Sequence, residues 1–394
     1  MALRQNTTIR RLLTTQIPAD FADWLHFVAI GALLAFTWQV EPIVFALLAV
    51  AMGLPYILVG PLAAYWIDRS GIRGVLIGSN LARALAIAAF TLAESWPVLL
   101  ALVFLASSID AAFTPAKQAA IQAATTPEDR MAANSISHAI NQASKIVAPA
   151  LGGALLIAFQ PQQVFLLNAA ISGLAAALLM RLPVIERPAP EDDGGPLAGL
   201  RAGWDEAMGK PRLKAALGLM AAGYFAMFFY DTLIAPLTRD LGFDPQTLGL
   251  ALAAVGAGGV LGAGTLSLRP TERPFRLISI SALVGGLCAA CLGLAEAREG
   301  LPLAAFLGLF FAIGIASAAT VVPIRTVLQS ETRPDRMARV TALSEAANTS
   351  ALLIAPFLGA ALAAATTIGS AFVAGGAILL LIALAALVIH RRDP

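Results

Sequence analysis

Apolar runs of about 20 residues recur along the whole chain, parted by short breaks of Pro, Gly or charged residues, and this recurrence limits the fold more than any other feature. A run of that length suits a helix crossing hydrocarbon, where the backbone must satisfy its own hydrogen bonds. Twelve such segments are legible, at 18–38, 43–65, 74–94, 97–118, 131–158, 163–181, 213–238, 246–267, 275–295, 301–327, 337–364 and 367–389. Composition agrees: 58% of the 394 residues are hydrophobic, only 13% are charged, and the mean hydropathy is +0.79. A soluble domain carries about twice that charge. The expected fold is therefore an all-α polytopic membrane protein with 12 transmembrane helices, and no basic surface is left for nucleic acid.

The distribution of Lys and Arg sets the expected sidedness. With the N-terminus inside, nearly every loop Lys and Arg falls on one face, and the other face keeps only Arg239 and Arg298. Both termini are thus expected in the cytoplasm. Arg4, Arg10 and Arg11 precede the first apolar segment, which no small-residue cleavage site interrupts, so it is expected to remain as a spanning helix.

The longest interruption runs from Leu182 to Pro211 and opens with a Pro-rich, acidic stretch, Pro188 to Pro196. It reads as a linker and predicts residues 1–187 as an N-terminal six-helix bundle, 188–211 as a cytoplasmic linker, and 212–394 as a C-terminal six-helix bundle. Leu197, Leu200, Trp204 and Met208 follow at helical spacing, as in a short amphipathic helix on the membrane surface. The halves are related in sequence. Asp129-Arg130-Met131-Ala132 reappears as Asp335-Arg336-Met337-Ala338, and Ala148-Pro149-Ala150-Leu151-Gly152 as Ala355-Pro356-Phe357-Leu358-Gly359, at offsets of 206 and 207 residues. Six helices return the chain to the same side, so this is a parallel repeat, giving two pseudo-symmetric bundles of the kind transporters use.

Polar residues inside such segments are expensive and become functional candidates. The fifth segment carries Asn134, His138, Asn141 and Lys145 on one helical face. That stripe reads as a cavity wall touching substrate or protons, or, for Lys145, as a structural ion pair with Asp110 or Asp23. Glu345 and Asn348 occupy the repeat positions of His138 and Asn141 in the eleventh segment, which favours a shared central cavity. Asp23 in the first segment, Asp110 in the fourth and Glu345 are candidates for proton coupling, whereas Asp20 reads as a surface charge at the start of the first helix. In the seventh segment Tyr224, Met227 and Asp231 share a face with Phe228: either aromatic packing around a solvated acid, or a binding wall for an amphipathic or cationic ligand. Arg83 in the third segment reads as a structural partner for an acid or for carbonyls.

Other patterns are discounted. The glycines from Gly256 to Gly264 have a dinucleotide-type spacing but lie within an apolar span, where small residues serve close helix packing. Cys288 and Cys291 sit in one apolar helix without His or acidic companions, and the three histidines are scattered, so no metal site and no cofactor is expected. No hydrolase or P-loop motif occurs, so the chain does not read as an enzyme.

The turn between the second and third segments, Gly60-Pro61-Leu62 through Asp68-Arg69-Ser70-Gly71-Ile72-Arg73-Gly74, resembles the signature loop of the major facilitator superfamily. Ser144-Lys145-Ile146-Val147-Ala148-Pro149-Ala150-Leu151-Gly152-Gly153 resembles its antiporter signature, with Ser144 and Ala148 in place of glycines. Asp23-Trp24, Asn80-Leu81-Ala82-Arg83-Ala84 and Pro115-Ala116 followed by Asn134 are similar to the branch containing the enterobactin exporter and related drug exporters. Asn80 stands where that branch often has an acid, and the fourth segment lacks the arginine of proton-driven drug antiporters.

The resemblance implies a monomeric transporter of the bacterial cytoplasmic (inner) membrane. It would export a siderophore or drug-like molecule in exchange for protons, with the bilayer and a small-molecule substrate as its partners. Gly60, Asp68, Arg69, Gly71 and Arg73 would gate by tethering the halves, while Pro149, Gly152 and Gly153 would pack helices. A lysophospholipid transporter and a non-transporting membrane sensor of the same fold remain as alternatives.

Overall fold

A computed structural model describes residues 6–185, 204–268, 271–298, 300–333 and 336–392, and every regular element among them is helical. In chain order the first six helices are α1 (Thr7–Ala32, continued by a π-helical turn, Leu33–Thr37), α2 (Pro42–Leu58), α3 (Gly60–Ala89), α4 (Trp96–Ala124), α5 (Pro127–Leu155) and α6 (Pro161–Leu179). After these come α7 (Pro211–Asp231), α8 (Pro245–Leu268), α9 (Pro274–Glu296), α10 (Leu303–Glu331), α11 (Met337–Ala365) and α12 (Ile368–Arg392), with a short helix, Ile234–Asp240, between α7 and α8. Among the described residues, ten helical stretches are long and apolar enough to cross a membrane, and α2 is a shorter apolar helix. The all-helical, polytopic fold expected from the sequence is the one observed.

Proline explains many of the starts. It opens α2, α5, α6, α7, α8 and α9, at positions where its missing N–H would have no intrahelical partner. The chain entering α1 is capped instead by Asn6, whose side chain accepts from the N–H groups of Thr8 and Ile9 at 3.1 Å. This start at Thr7 lies eleven residues before the expected one at 18. Asp20 is consequently more than three turns into the helix, not at its start.

The turn expected between the second and third spans is also tighter than its charges and glycines imply. Residues 60–70 are helical, and a single non-helical residue, Gly71 with φ 70° and ψ 155°, breaks α3. Only glycine adopts that backbone conformation without strain. Of the expected amphipathic surface helix, residues 204–208 are helical with Trp204 and Met208 exposed, while Leu197 and Leu200 lie outside the described residues.

Two compact units are present, one comprising Met1–Val40, Val50–Pro190 and Asp244–Leu250, the other Glu41–Ala49, Glu191–Phe243 and Ala251–Pro394. Their cores are built alike. In the first unit Leu12, Leu76, Phe113 and Leu179 bring together α1, α3, α4 and α6; in the second Leu217, Ile278, Ile324 and Ile382 bring together α7, α9, α10 and α12. Interior prolines repeat in the same way, Pro115 in α4 with Pro323 in α10 and Pro149 in α5 with Pro356 in α11.

Helices α9 and α12 cross at glycine. A Cβ on Gly286 would stand 2.8 Å from the Gly376 carbonyl oxygen and one on Gly376 2.6 Å from that of Gly286, and Gly293 and Gly369 exclude each other's side chains in the same way. Small residues permit this approach, where dispersion and close packing substitute for the missing hydrophobic drive between helices in lipid.

Candidate functional site

Five charged residues of the first unit, Asp20, Asp23, Arg83, Asp110 and Lys117, gather where α1, α3, α4 and α5 meet. Arg83 of α3 is 1% exposed and directs its guanidinium at four acceptors. Nη1 donates to Asp23 of α1 and, at 3.0 Å, to Asp110 of α4; Nη2 donates to the Asn80 side chain at 2.8 Å and to the Ala19 carbonyl at 3.2 Å. Two carboxylates thus share one cation. Their side chains keep 25% and 17% exposure, whereas the guanidinium has none to spare. The fork geometry of arginine suits it to hold acids from two helices at once.

One turn along α1 lies a second cluster. Asp20 is completely buried, which corrects its reading as a surface charge. Its Oδ1 accepts from Lys117 of α4 at 2.9 Å, and its Oδ2 from Gln16 at 2.7 Å and from Asn141 of α5 at 3.2 Å. Gln16 also donates to the Ser137 carbonyl at 2.9 Å, so α1 and α5 are tied twice. The two oxygens of this carboxylate receive three donors, and the pair is compatible with burial because its hydrogen-bonding capacity is met.

Phe113 of α4, 4% exposed, stands between the clusters. The Arg83 Cζ lies 5.7 Å from its ring centroid and the Lys117 Nζ 5.4 Å. Both distances are in the range of cation–π attraction.

Of the expected cavity residues, Asn141 joins the Asp20 cluster, and Lys145 is exposed with Nζ 5.3 Å from the Trp24 ring. The side chain of His138 lies outside the described residues. On α1, His26 turns away from the acids: its Nδ1 meets the Asn168 side chain at 2.8 Å and its ring packs edge-on against Phe90. Neither Gln16, Asn80, Phe113 nor Lys117 was expected at the site. The i, i+4 spacing of Gln16 and Asp20 was the one available signal.

In the second unit Tyr224 and Phe228 stack, with ring centroids 6.4 Å apart and planes 24° from parallel. Met227 and Asp231, on the same face of α7, are half-buried. Glu345 is exposed and Asn348 half-buried on α11. The structure thus brings Asp23, Asp110 and Asn141 into one pair of clusters and places Tyr224 and Asp231 along one helix.

Gly152 packs α5 onto α1, since a Cβ there would stand 2.9 Å from the Leu25 carbonyl oxygen. Gly153 lies against the backbone of Gly249, in the part of α8 that belongs to the same unit, and Pro149 is buried. Among the expected gating residues, Gly71 makes the break in α3 and Arg73 donates to the Met180 carbonyl at 2.6 Å, next to Arg11 donating to that of Arg181 at 2.9 Å. Both arginines satisfy carbonyls just past the end of α6, where a cation is also favoured by the helix dipole. Gly60 opens α3, and the side chains of Asp68 and Arg69 lie outside the described residues.

The sequence profile of the Major Facilitator Superfamily matches residues 12–343. A protein of Bacillus subtilis (strain 168) described as the uncharacterized MFS-type transporter YfiS is 28% identical over 98% of this chain and 94% of its own length. Among solved structures, the nucleoside transporter NupG superposes with a TM-score of 0.76 at 12% identity, covering 97% of this chain and 99% of that one. A bacterial homologue of the human lysosomal transporter Spinster, inward-facing and unoccupied, gives 0.66 at 17% identity over 98% and 95%.

Proposed function

The chain belongs to the Major Facilitator Superfamily, and from that premise we propose that it exports a small amphipathic molecule, siderophore or drug-like, across the bacterial cytoplasmic membrane by alternating access in exchange for protons. The observation that carries this reading is the sharing of Arg83 by Asp23 and Asp110. With both acids ionised the cluster holds one negative charge more than positive, so taking up one proton makes it neutral. That is the chemistry a proton-coupled carrier needs within a membrane.

Support for an amphipathic substrate comes from each unit separately. Trp24 with Lys145 in the first, and Tyr224 and Phe228 near Asp231 in the second, set an aromatic surface beside a charge. Gating by Asp68 and Arg73, proton handling by Glu345, and cytoplasmic placement of both termini form part of the same proposal.

The test is transport by the full-length protein in liposomes under an imposed pH gradient, with ethidium and a catecholate siderophore as probes. Probe-dependent proton movement, lost in Asp23→Asn and Asp110→Asn, is expected. Probe flux indifferent to the gradient in the unsubstituted protein overturns proton exchange.

A further inference from the structure

The exposed face of α9 carries Arg276, Ile280, Leu283, Leu287, Cys291 and Leu294, one stripe at steps of three or four residues that continues to the exposed Arg298 in the turn just past the helix end. Twenty-two residues separate the arginines, and at 1.5 Å per residue they stand roughly 33 Å apart, close to the ~30 Å hydrocarbon thickness. Long cationic side chains extend toward the water at such edges. Arg298 therefore marks one border of the hydrocarbon.

Immediately inside that border is a cavity of about 440 Å³, within the range of pockets that hold small organic ligands. Cys291, Leu294 and Arg298 line it from the α9 side, Ala305, Gly308 and Leu309 from α10. Its floor is open at Gly308, where an added Cβ would meet nothing within 4 Å. The neighbouring acid Glu296 is engaged elsewhere, accepting from the Gly369 N–H of α12. A groove that opens on the lipid-facing stripe and ends at an interfacial cation matches one kind of molecule.

We infer that this groove holds an acyl chain of an anionic phospholipid, whose phosphate lies against Arg298. The groove supplies apolar surface for the chain, and the guanidinium supplies the preference for negative charge, about fivefold for one interfacial cation. Nothing in it depends on the transported substrate or on protons.

Native mass spectrometry of the full-length protein equilibrated with equal phosphatidylglycerol and phosphatidylcholine tests it. The unsubstituted protein is expected to retain one phosphatidylglycerol in about fivefold preference. Arg298→Gln removes the preference but keeps a bound lipid. Gly308→Leu fills the groove without a clash and loses the retained lipid of either kind. An unchanged preference in Arg298→Gln overturns the inference, as does undiminished lipid in Gly308→Leu.

Discussion

Arg83 and Lys117 rest against the same aromatic ring, the guanidinium carbon 5.7 Å and the ammonium nitrogen 5.4 Å from the centroid of Phe113. Arg83 pairs with Asp23 and Asp110 and Lys117 with Asp20, so the ring stands between two charge groups. Phe113→Leu keeps an apolar divider and gives up the cation–π attraction, about 1 kcal/mol. Phe113→Ala leaves a void and is expected to cost about 3–5 kcal/mol and to raise passive proton leak. Thermal unfolding in detergent and dye-reported acidification of liposomes, without any probe, measure the two effects.

Asp20 with Lys117 is a buried pair whose removal by halves and as a whole should differ. Asp20→Asn or Lys117→Met alone strands a charge and is expected to lose about 3 kcal/mol or more, while the double substitution recovers much of that loss. A double-mutant cycle on unfolding midpoints reads the coupling. Additive losses would show the two charges to be independent.

Arg83→Lys preserves the charge and removes the fork. One ammonium cannot reach Asp23, Asp110, Asn80 and the Ala19 carbonyl together, so the substitution is expected to insert in the membrane and yet lower pH-driven ethidium transport at least tenfold. Initial rates in liposomes, normalised to incorporated protein, check this.

Gly71 has open space around its missing Cβ, so any cost of Gly71→Ala comes from the backbone alone. At φ 70° and ψ 155° that cost is about 1–3 kcal/mol. A lower unfolding midpoint is expected, and a midpoint equal to that of the unsubstituted protein would show that α3 relaxes freely at its break.

The long apolar helices were legible because lipid demands long apolar runs, and such runs survive as pattern without knowledge of any contact. Depth was not legible. Asp20 and Asp23 are three residues apart on α1, and periodicity gives their common face but not the helix start that puts Asp20 in the interior. The start at Thr7 was hidden because Asn6 caps a polar first turn that hydropathy discounts. Arg83 read as a partner for an acid or for carbonyls and has both, yet the joining of two acids by it is a relation among three helices that no local spacing encodes. Phe113 looked like any other apolar residue of α4.

The interlocked glycines of α9 and α12 carry a mechanical consequence. At Gly286 against Gly376, and again at Gly293 against Gly369, each backbone seats a carbonyl oxygen in the notch left by the other's missing side chain. Sliding one helix along the other by a single residue's rise of about 1.5 Å would lift these four oxygens out of their notches and onto neighbouring side chains such as Val373. The two helices form a keyed strut. Bending and twisting in this unit must then be taken up by the helices around it, and the strut travels as one stiff member.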